Sequence, residues 1–243
     1  MYDILFRGAT VVTGVRPPFT ADVATRGAAI AAVGDVRRPA RTIVEARGRC
    51  LAPGFIDVHS HNDFVATQRR PFAGKITQGV TTEVIGNCGI SGAPIPPSAR
   101  PFIRQSVPVI GRPGRGRRWE TWQAYFAALR ASPLPTNLVP LAGHGNIRCA
   151  AMGMRSGPAR PEELRRMERM TAEAMERGCR GVSTGLIYPP GVFTPTEEIA
   201  ALARTAARFG GVYATHIRGE GPTLLDALRE AVRVGRASGA AVH

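Results

Sequence analysis

From residue 53 onward the chain alternates short apolar runs with longer segments of helical period. The runs are 54–59, 81–86, 138–143, 181–186, 212–216 and 240–243. Each is near-continuously apolar, as a parallel strand buried on both faces reads. Between them, Trp119 to Arg130 sets Trp119, Trp122, Phe126 and Leu129 on one helical face. Pro161 to Arg177 carries Leu164, Met167, Met170 and Ala174 at helical spacing and stops before Gly178. These aromatics and methionines are read as core. In Thr194-Pro195-Thr196-Glu197 the spacing predicts an N-cap threonine, a proline at the first helical position and a reciprocating glutamate, opening a helix to about Phe209. A further helix is predicted from about Thr223 to Ala237, before Gly239. Strands alternating with helices signal βαβ units and a parallel sheet. Residues 1 to about 52 differ. Their apolar segments, Ile4-Leu5-Phe6, Thr10-Val11-Val12, Ala28 to Val33 and Thr42-Ile43-Val44, are punctuated by glycine and proline and predict a small β-domain.

The fold class is therefore α/β: an incomplete TIM-type (β/α) barrel over 53–243, preceded by a small β-domain over 1–52. Six strands are counted where a closed barrel has eight, so the chain is expected to be the front part of a longer protein. Three of the runs end in histidine: His59 with His61 just beyond, His216 and His243. In such a barrel the C-terminal strand ends converge on one mouth where chemistry sits. His59 and His61 are two apart, so on an extended strand they point to one side. Another run leads into Asn87-Cys88-Gly89. Imidazole and thiolate are both good zinc ligands, which makes the mouth a candidate metal site.

Composition narrows the alternatives. A hydrophobic fraction of 44% and a charged fraction of 21% are those of a globular protein. With no apolar run of about 18 residues and no signal-peptide pattern at the start, no membrane role is expected, and the location by default is cytoplasmic. Cys50, Cys149 and Cys179 are read as reduced, buried small hydrophobes. The net charge of +14 invites a nucleic-acid reading, but of 32 basic residues only Lys75 is lysine, a one-sided usage that looks like genome composition. No aromatic-interleaved basic motif accompanies the arginines, so no nucleic-acid partner is expected. The dense cluster Arg112, Arg115, Arg117 and Arg118 reads as a solvated loop.

The motifs in combination are more specific. Ala52-Pro53-Gly54-Phe55-Ile56-Asp57-Val58-His59-Ser60-His61 resembles the metal-binding first strand of the amidohydrolase superfamily. Gly86-Asn87-Cys88-Gly89, Gly143-His144-Gly145-Asn146, Gly181 to Leu186 and Thr215 to Gly221 together resemble the N-acyl-D-amino-acid deacylases. The resemblance implies metal ligands at His59, His61, Cys88, His216 and His243, with Cys88 bridging, and one or two zinc ions. It implies zinc-dependent hydrolysis of N-acyl-D-amino acids, small-molecule substrates. The implied proton-transfer aspartate follows an eighth strand, so no catalytic residue of that kind lies in this chain, which alone is expected to be inactive.

Other residues carry two readings. His144 is either a substrate or supporting contact or a structural hydrogen-bond partner. Tyr188 either lines the pocket or packs. Arg218 contacts substrate or, with Glu220, pairs or caps the next helix. Asp57 is read as a buried support for the first histidine. Two rival functions stand beside the deacylase: a cyclic-amide amidohydrolase of the hydantoinase or dihydroorotase kind, and a non-catalytic metal-binding remnant. Against the first, the fourth strand, Gly181 to Leu186, lacks the lysine that bridges metals in many amidohydrolases.

Overall fold

The computed structural model describes residues 1–68, 73–111 and 119–243, with Ile110 described in its backbone alone. The arginine cluster at 112, 115, 117 and 118 lies outside the described residues. The chain divides into two compact units, Met1–Gly54 and Phe55–His243.

The first unit is a five-stranded sheet of β1 (Tyr2–Val11), β2 (Phe19–Arg26), β3 (Ala29–Gly34), β4 (Ala40–Glu45) and β5 (Cys50–Leu51). β1 is central: it pairs antiparallel with β2 and parallel with β4 and β5. The two apolar segments at 4–6 and 10–12 belong to this one strand, whose register slips between Phe6 and Ala9. Gly8 supplies the positive φ (+66°) there, and its amide donates to Asp22 Oδ1 at 2.8 Å. Cys50 is exposed, contrary to its reading as a buried hydrophobe, because β5 is a two-residue strand paired with β1 alone.

The second unit runs through β6 (Phe55–Asp57), β7 (Val80–Ile85), α1 (Arg100–Ile110), α2 (Trp122–Arg130), β8 (Asn137–Pro140), β9 (Ala142–Gly143), α3 (His144–Met152), α4 (Pro161–Arg177), β10 (Gly181–Gly185), α5 (Thr196–Ala207), β11 (Val212–His216) and α6 (Leu224–Ser238). All its pairings are parallel, in the orders β6-β7-β8 and β9-β10-β11. The third run thus serves two neighbours, β8 bonding to β7 and β9 to β10. Leu141 links them by donating to Ile85 O at 2.8 Å. The sixth run joins through Tyr213 and Val242, with His243 N donating to Tyr213 O at 2.8 Å. The result is six strands of a barrel, in the expected order.

The core collects Phe64, Ile85, Trp119, Trp122, Tyr125, Met167 and Tyr213. α2 starts three residues later than its pattern predicts, because Thr121 is the cap and accepts from Ala124 N at 3.2 Å. Trp119 precedes the helix yet stays buried, stacked on Phe64. α4 has the predicted bounds; Glu163 reaches back to Arg160 N at 2.7 Å and Pro161 opens the helix. α5 begins at Thr196 with Pro195 as its cap, so Thr194 is not the capping residue; its hydroxyl is buried without a partner, and its carbonyl accepts from Arg218. β6 departs from the expected two-sided burial: Phe55 and Ile56 are exposed, since the strand is hydrogen-bonded on one side only among the described residues. Among the described residues no helix is long and apolar enough to cross a membrane.

Candidate metal centre

The strand β6 ends at Asp57, and the chain then turns. Asp57 Oδ1 accepts from His59 N at 3.0 Å and Ser60 N donates to Val84 O at 2.9 Å. The two histidines thus leave a turn rather than an extended strand, yet their rings still lie 5.3 Å apart and edge to face. The loop after β7 brings Cys88 to them. Cys88 is the non-glycine residue with positive φ (+55°) among the described residues, a conformation that costs an L-residue about 1–2 kcal/mol.

That strained loop is held from several sides. Asp63 Oδ2 accepts from Gly86 N at 3.2 Å. Ser183, buried on β10, donates to Gly86 O and accepts from Gly89 N at 3.0 Å. Tyr188 OH donates to Cys88 O at 2.5 Å, and Asn87 Nδ2 donates to Val84 O at 2.9 Å. Glycines make the close approach possible: a Cβ on Gly143 would lie 2.7 Å from Gly89 O, and one on Gly185 would run into Cys88 O and the Tyr188 hydroxyl.

One donor atom from each of His59, His61 and Cys88 lies within 4.8 Å of the others, the metal-competent trio among the described residues. Zinc bonds of about 2.0 Å to nitrogen and 2.3 Å to sulfur place tetrahedral donors about 3.3–3.8 Å apart, so small side-chain movements close the set. Cys88 Sγ is 3.2 Å from His59 Nε2 and 3.8 Å from His216 Nδ1. His216 ends β11, and His243 stands on the neighbouring sixth run, near enough for its charge to act on His59. Among the described residues, His61 Nδ1 and His216 Nε2 are buried with no hydrogen-bond partner, and Glu220 Oε1 lies 3.1 Å from the latter.

The electrostatics suit a cation. Burial, then the charges of His59, Lys75 and His216, push His61 down to about 4. Burial and the charges of His216 and His243 lower His59 as well, so both rings are neutral and their lone pairs free near neutrality. Burial raises the Cys88 thiol above its ordinary value against the lowering effect of Tyr188, and a bound cation would favour its thiolate form. The donor types, spacing and orphaned nitrogens fit a zinc-like ion.

These residues open on a pocket of about 760 Å³ whose apolar wall includes Ile90, Phe102, Val109 and Ile217, with Tyr188 beside Cys88. Phe102 and Val109 come from α1, a helix that the sequence pattern did not disclose. His144 and Arg218 are not among the pocket-lining residues. His144 Nε2 lies 3.0 Å from Glu198 Oε1, and Arg148 Nη1 donates to both Glu198 oxygens at 2.6 Å; all three are buried. His144 thus meets, through Nε2, a buried carboxylate that Arg148 also binds. Arg218 pairs with Glu230 at 2.8 and 2.9 Å and donates to the carbonyls of Val192 and Thr194, pinning the entry to α5 to α6. Asp57 is half-buried and paired with Lys75, a partner the sequence reading did not supply. Asp63, Lys75, Glu83 and Ser183 also support this region, and of these only the solitary lysine stands out in the composition.

Known proteins of similar sequence and fold identify the family. The profile described as "Amidohydrolase family" matches residues 42–243. The D-aminoacylase of Alcaligenes xylosoxydans xylosoxydans is 41% identical over 97% of this chain and 48% of its own length. A solved D-aminoacylase with a binuclear metal centre superposes with a TM-score of 0.92 at 38% identity, over 100% of this chain and 51% of that one. N-acyl-D-glutamate deacylase from Bordetella bronchiseptica, solved with zinc and a phosphonate inhibitor, gives 0.88 at 36%, over 99% and 50%. The chain spans about half the length of the curated relatives it matches. On this fold and these matches, the chain belongs to the amidohydrolase family.

Proposed function

We propose that this sequence supplies the metal-binding part of a zinc-dependent hydrolase that cleaves the amide bond of N-acyl-D-amino acids, releasing a carboxylate and a D-amino acid. The observation that carries the reading is the clustering of His59, His61 and Cys88 donor atoms within 4.8 Å at the ends of parallel strands, with His216 against the same sulfur. We assign His59, His61, Cys88, His216 and His243 as ligands of one or two ions. A bound divalent ion lowers the pKa of a coordinated water to about 7 and polarises a carbonyl oxygen, which amide hydrolysis requires.

The chain's own residues prepare that chemistry. The loop bonds from Ser183 and Tyr188 hold Cys88 in its left-handed conformation, and the depressed histidines present neutral nitrogens. The apolar wall from α1 excludes water from one side of the pocket and suits an apolar part of a small-molecule substrate. The pairing of His144 with Glu198 and of Arg218 with Glu230 supports a supporting role for both rather than contact with substrate. The proton-transfer role falls to a residue outside these 243 positions, after strands that would complete the barrel.

The cyclic-amide alternative is disfavoured by β10, which carries Ser183 rather than a metal-bridging lysine, while a thiol follows β7. The likeness to L-hydantoinase, 14% identical at a TM-score of 0.53, is one of fold alone. The test compares N-acetyl-D-amino acids with hydantoins as substrates, zinc added, for this chain and for a polypeptide extended along the reading frame past His243. Turnover of the D-acyl substrates by the extended protein alone is expected. Robust turnover by the 243-residue chain overturns the assignment of the proton-transfer residue, and preference for hydantoins overturns the substrate class.

A further inference from the structure

Lys75 is the single lysine among 32 basic residues, and its ammonium sits between two carboxylates. It pairs with Asp57 Oδ2 and lies 3.0 Å from Glu83 Oε2. The three side chains are largely withdrawn from water, with 24%, 29% and 4% exposure for Lys75, Asp57 and Glu83. Both carboxylates use their remaining acceptor capacity on the histidine turn. Asp57 Oδ1 takes the backbone N–H of His59 at 3.0 Å. Glu83 Oε2 takes Ser60 Oγ at 2.8 Å and Asn62 Nδ2 at 2.7 Å, the residues on either side of His61. Glu83 Oε1 is tied to Thr136 Oγ1 at 2.8 Å, at the entry to β8. The amide of one histidine and both neighbours of the other therefore depend on carboxylates that share one ammonium.

We propose that Lys75 is a positioning residue of the metal centre: it clamps Asp57 to Glu83 and thereby fixes the spacing of His59 and His61. The inference rests on the metal reading above. Its chemistry explains why a chain so rich in arginine keeps a lysine here. An ammonium is a compact charge that bridges two carboxylates from one point, whereas a guanidinium is a planar fork. As a bare charge beside a cation site, Lys75 opposes metal binding. The positioning role and the charge effect therefore have opposite signs.

Cobalt(II) titration of this chain separates them, read by the thiolate-to-cobalt charge-transfer band of Cys88. Wild type is expected to show the band. K75M and K75R are expected to weaken it and to raise the cobalt dissociation constant about tenfold or more, the range seen when groups supporting metal ligands are removed. E83Q, which keeps the side-chain shape but removes the charge that Lys75 holds, is expected to follow. T171A deletes a buried hydroxyl bonded to Met167 O in α4; it is expected to lower the thermal midpoint and leave cobalt affinity unchanged. Cobalt binding by K75M as tight as wild type or tighter, or by K75R or E83Q within about twofold, overturns the proposal, as does an equal loss in T171A. Absence of the band in wild type overturns the metal reading and the proposal together; its presence, with unaltered variants, overturns the proposal alone.

Discussion

Arg148→Met tests whether the cluster around His144 is scaffold or site. Arg148 is fully buried and gives two 2.6 Å bonds to Glu198, with a further bond to Gly157 O. Methionine fills much of the volume but leaves a carboxylate that is 3% exposed with His144 and a long bond from Ala159 N. Removing one partner of a buried ion pair costs about 3–5 kcal/mol. In a domain of this size each kcal/mol lowers the thermal midpoint by about 2–4 °C, so a fall of about 6–20 °C is expected near neutrality. The pH dependence has a definite sign. Burial raises the Glu198 pKa, but His144 and Arg148 outweigh it and hold it below the ordinary 4.5. In wild type this contribution is present above 4.5 and is lost as pH falls through the lowered folded value. In the variant burial dominates, the folded pKa rises, and protonation relieves the unpaired charge, so the gap between the two proteins narrows toward acid. Thermal unfolding by circular dichroism, near neutrality and in mild acid, measures both effects, with cobalt affinity as a parallel readout. A midpoint within about 2 °C of wild type, or lost cobalt binding at an unchanged midpoint, refutes the scaffold assignment.

Ser183→Ala removes the hydroxyl joining Gly86 O to Gly89 N. It is expected to cost about 1–3 kcal/mol and to speed iodoacetamide labelling of Cys88 without metal; an unchanged labelling rate counts against the latch. Gly185→Ala drives a methyl into Cys88 O and the Tyr188 hydroxyl, so the cobalt–thiolate band is expected to weaken; a wild-type spectrum counts against the close-approach argument. Zinc at about 100 times its dissociation constant is expected to stabilise the fold by about 2.7 kcal/mol, hence about 5–11 °C, reversed by chelation. A midpoint indifferent to zinc and chelator removes the case for a metal centre.

Much of the barrel was legible because parallel strands and packed helices leave periodic signatures. The six apolar runs, α4 to its ends, and α6 to within a residue were readable for that reason. Two helices were not. α1 carries Pro101 and Pro108, which read as breaks, although the first is harmless in an opening turn and the second lies in the last. α3 begins in Gly143-His144-Gly145-Asn146, where glycines suggest a loop; they are needed because Gly89 O passes 2.7 and 2.8 Å from where their Cβ atoms would be. Ligand candidates were readable from strand ends, since topology alone brings those together. The partners of His144 and Arg218 were not, because each is a buried carboxylate supplied from a distant helix, Glu198 or Glu230.

The same logic explains the form of the Cys88 site. A thiol following β7 reaches the histidines of β6 only if the loop curls back, and the curl requires positive φ at Gly86, Cys88 and Gly89. Two of those positions are glycine and accept the conformation freely; the cysteine does not. Its strain is sustained by Ser183 and Tyr188 on β10 and the loop beyond it, the part of the barrel where a lysine bridge would otherwise arise. On the proposed reading, the fourth strand thus contributes to the metal centre by holding a ligand rather than by being one. Cys88→Gly separates the two contributions: it is expected to relax the loop and preserve or raise metal-free stability while abolishing the cobalt–thiolate band. A large loss of metal-free stability would show that the thiol is a packing group, and that the strained conformation serves the core instead of a cation.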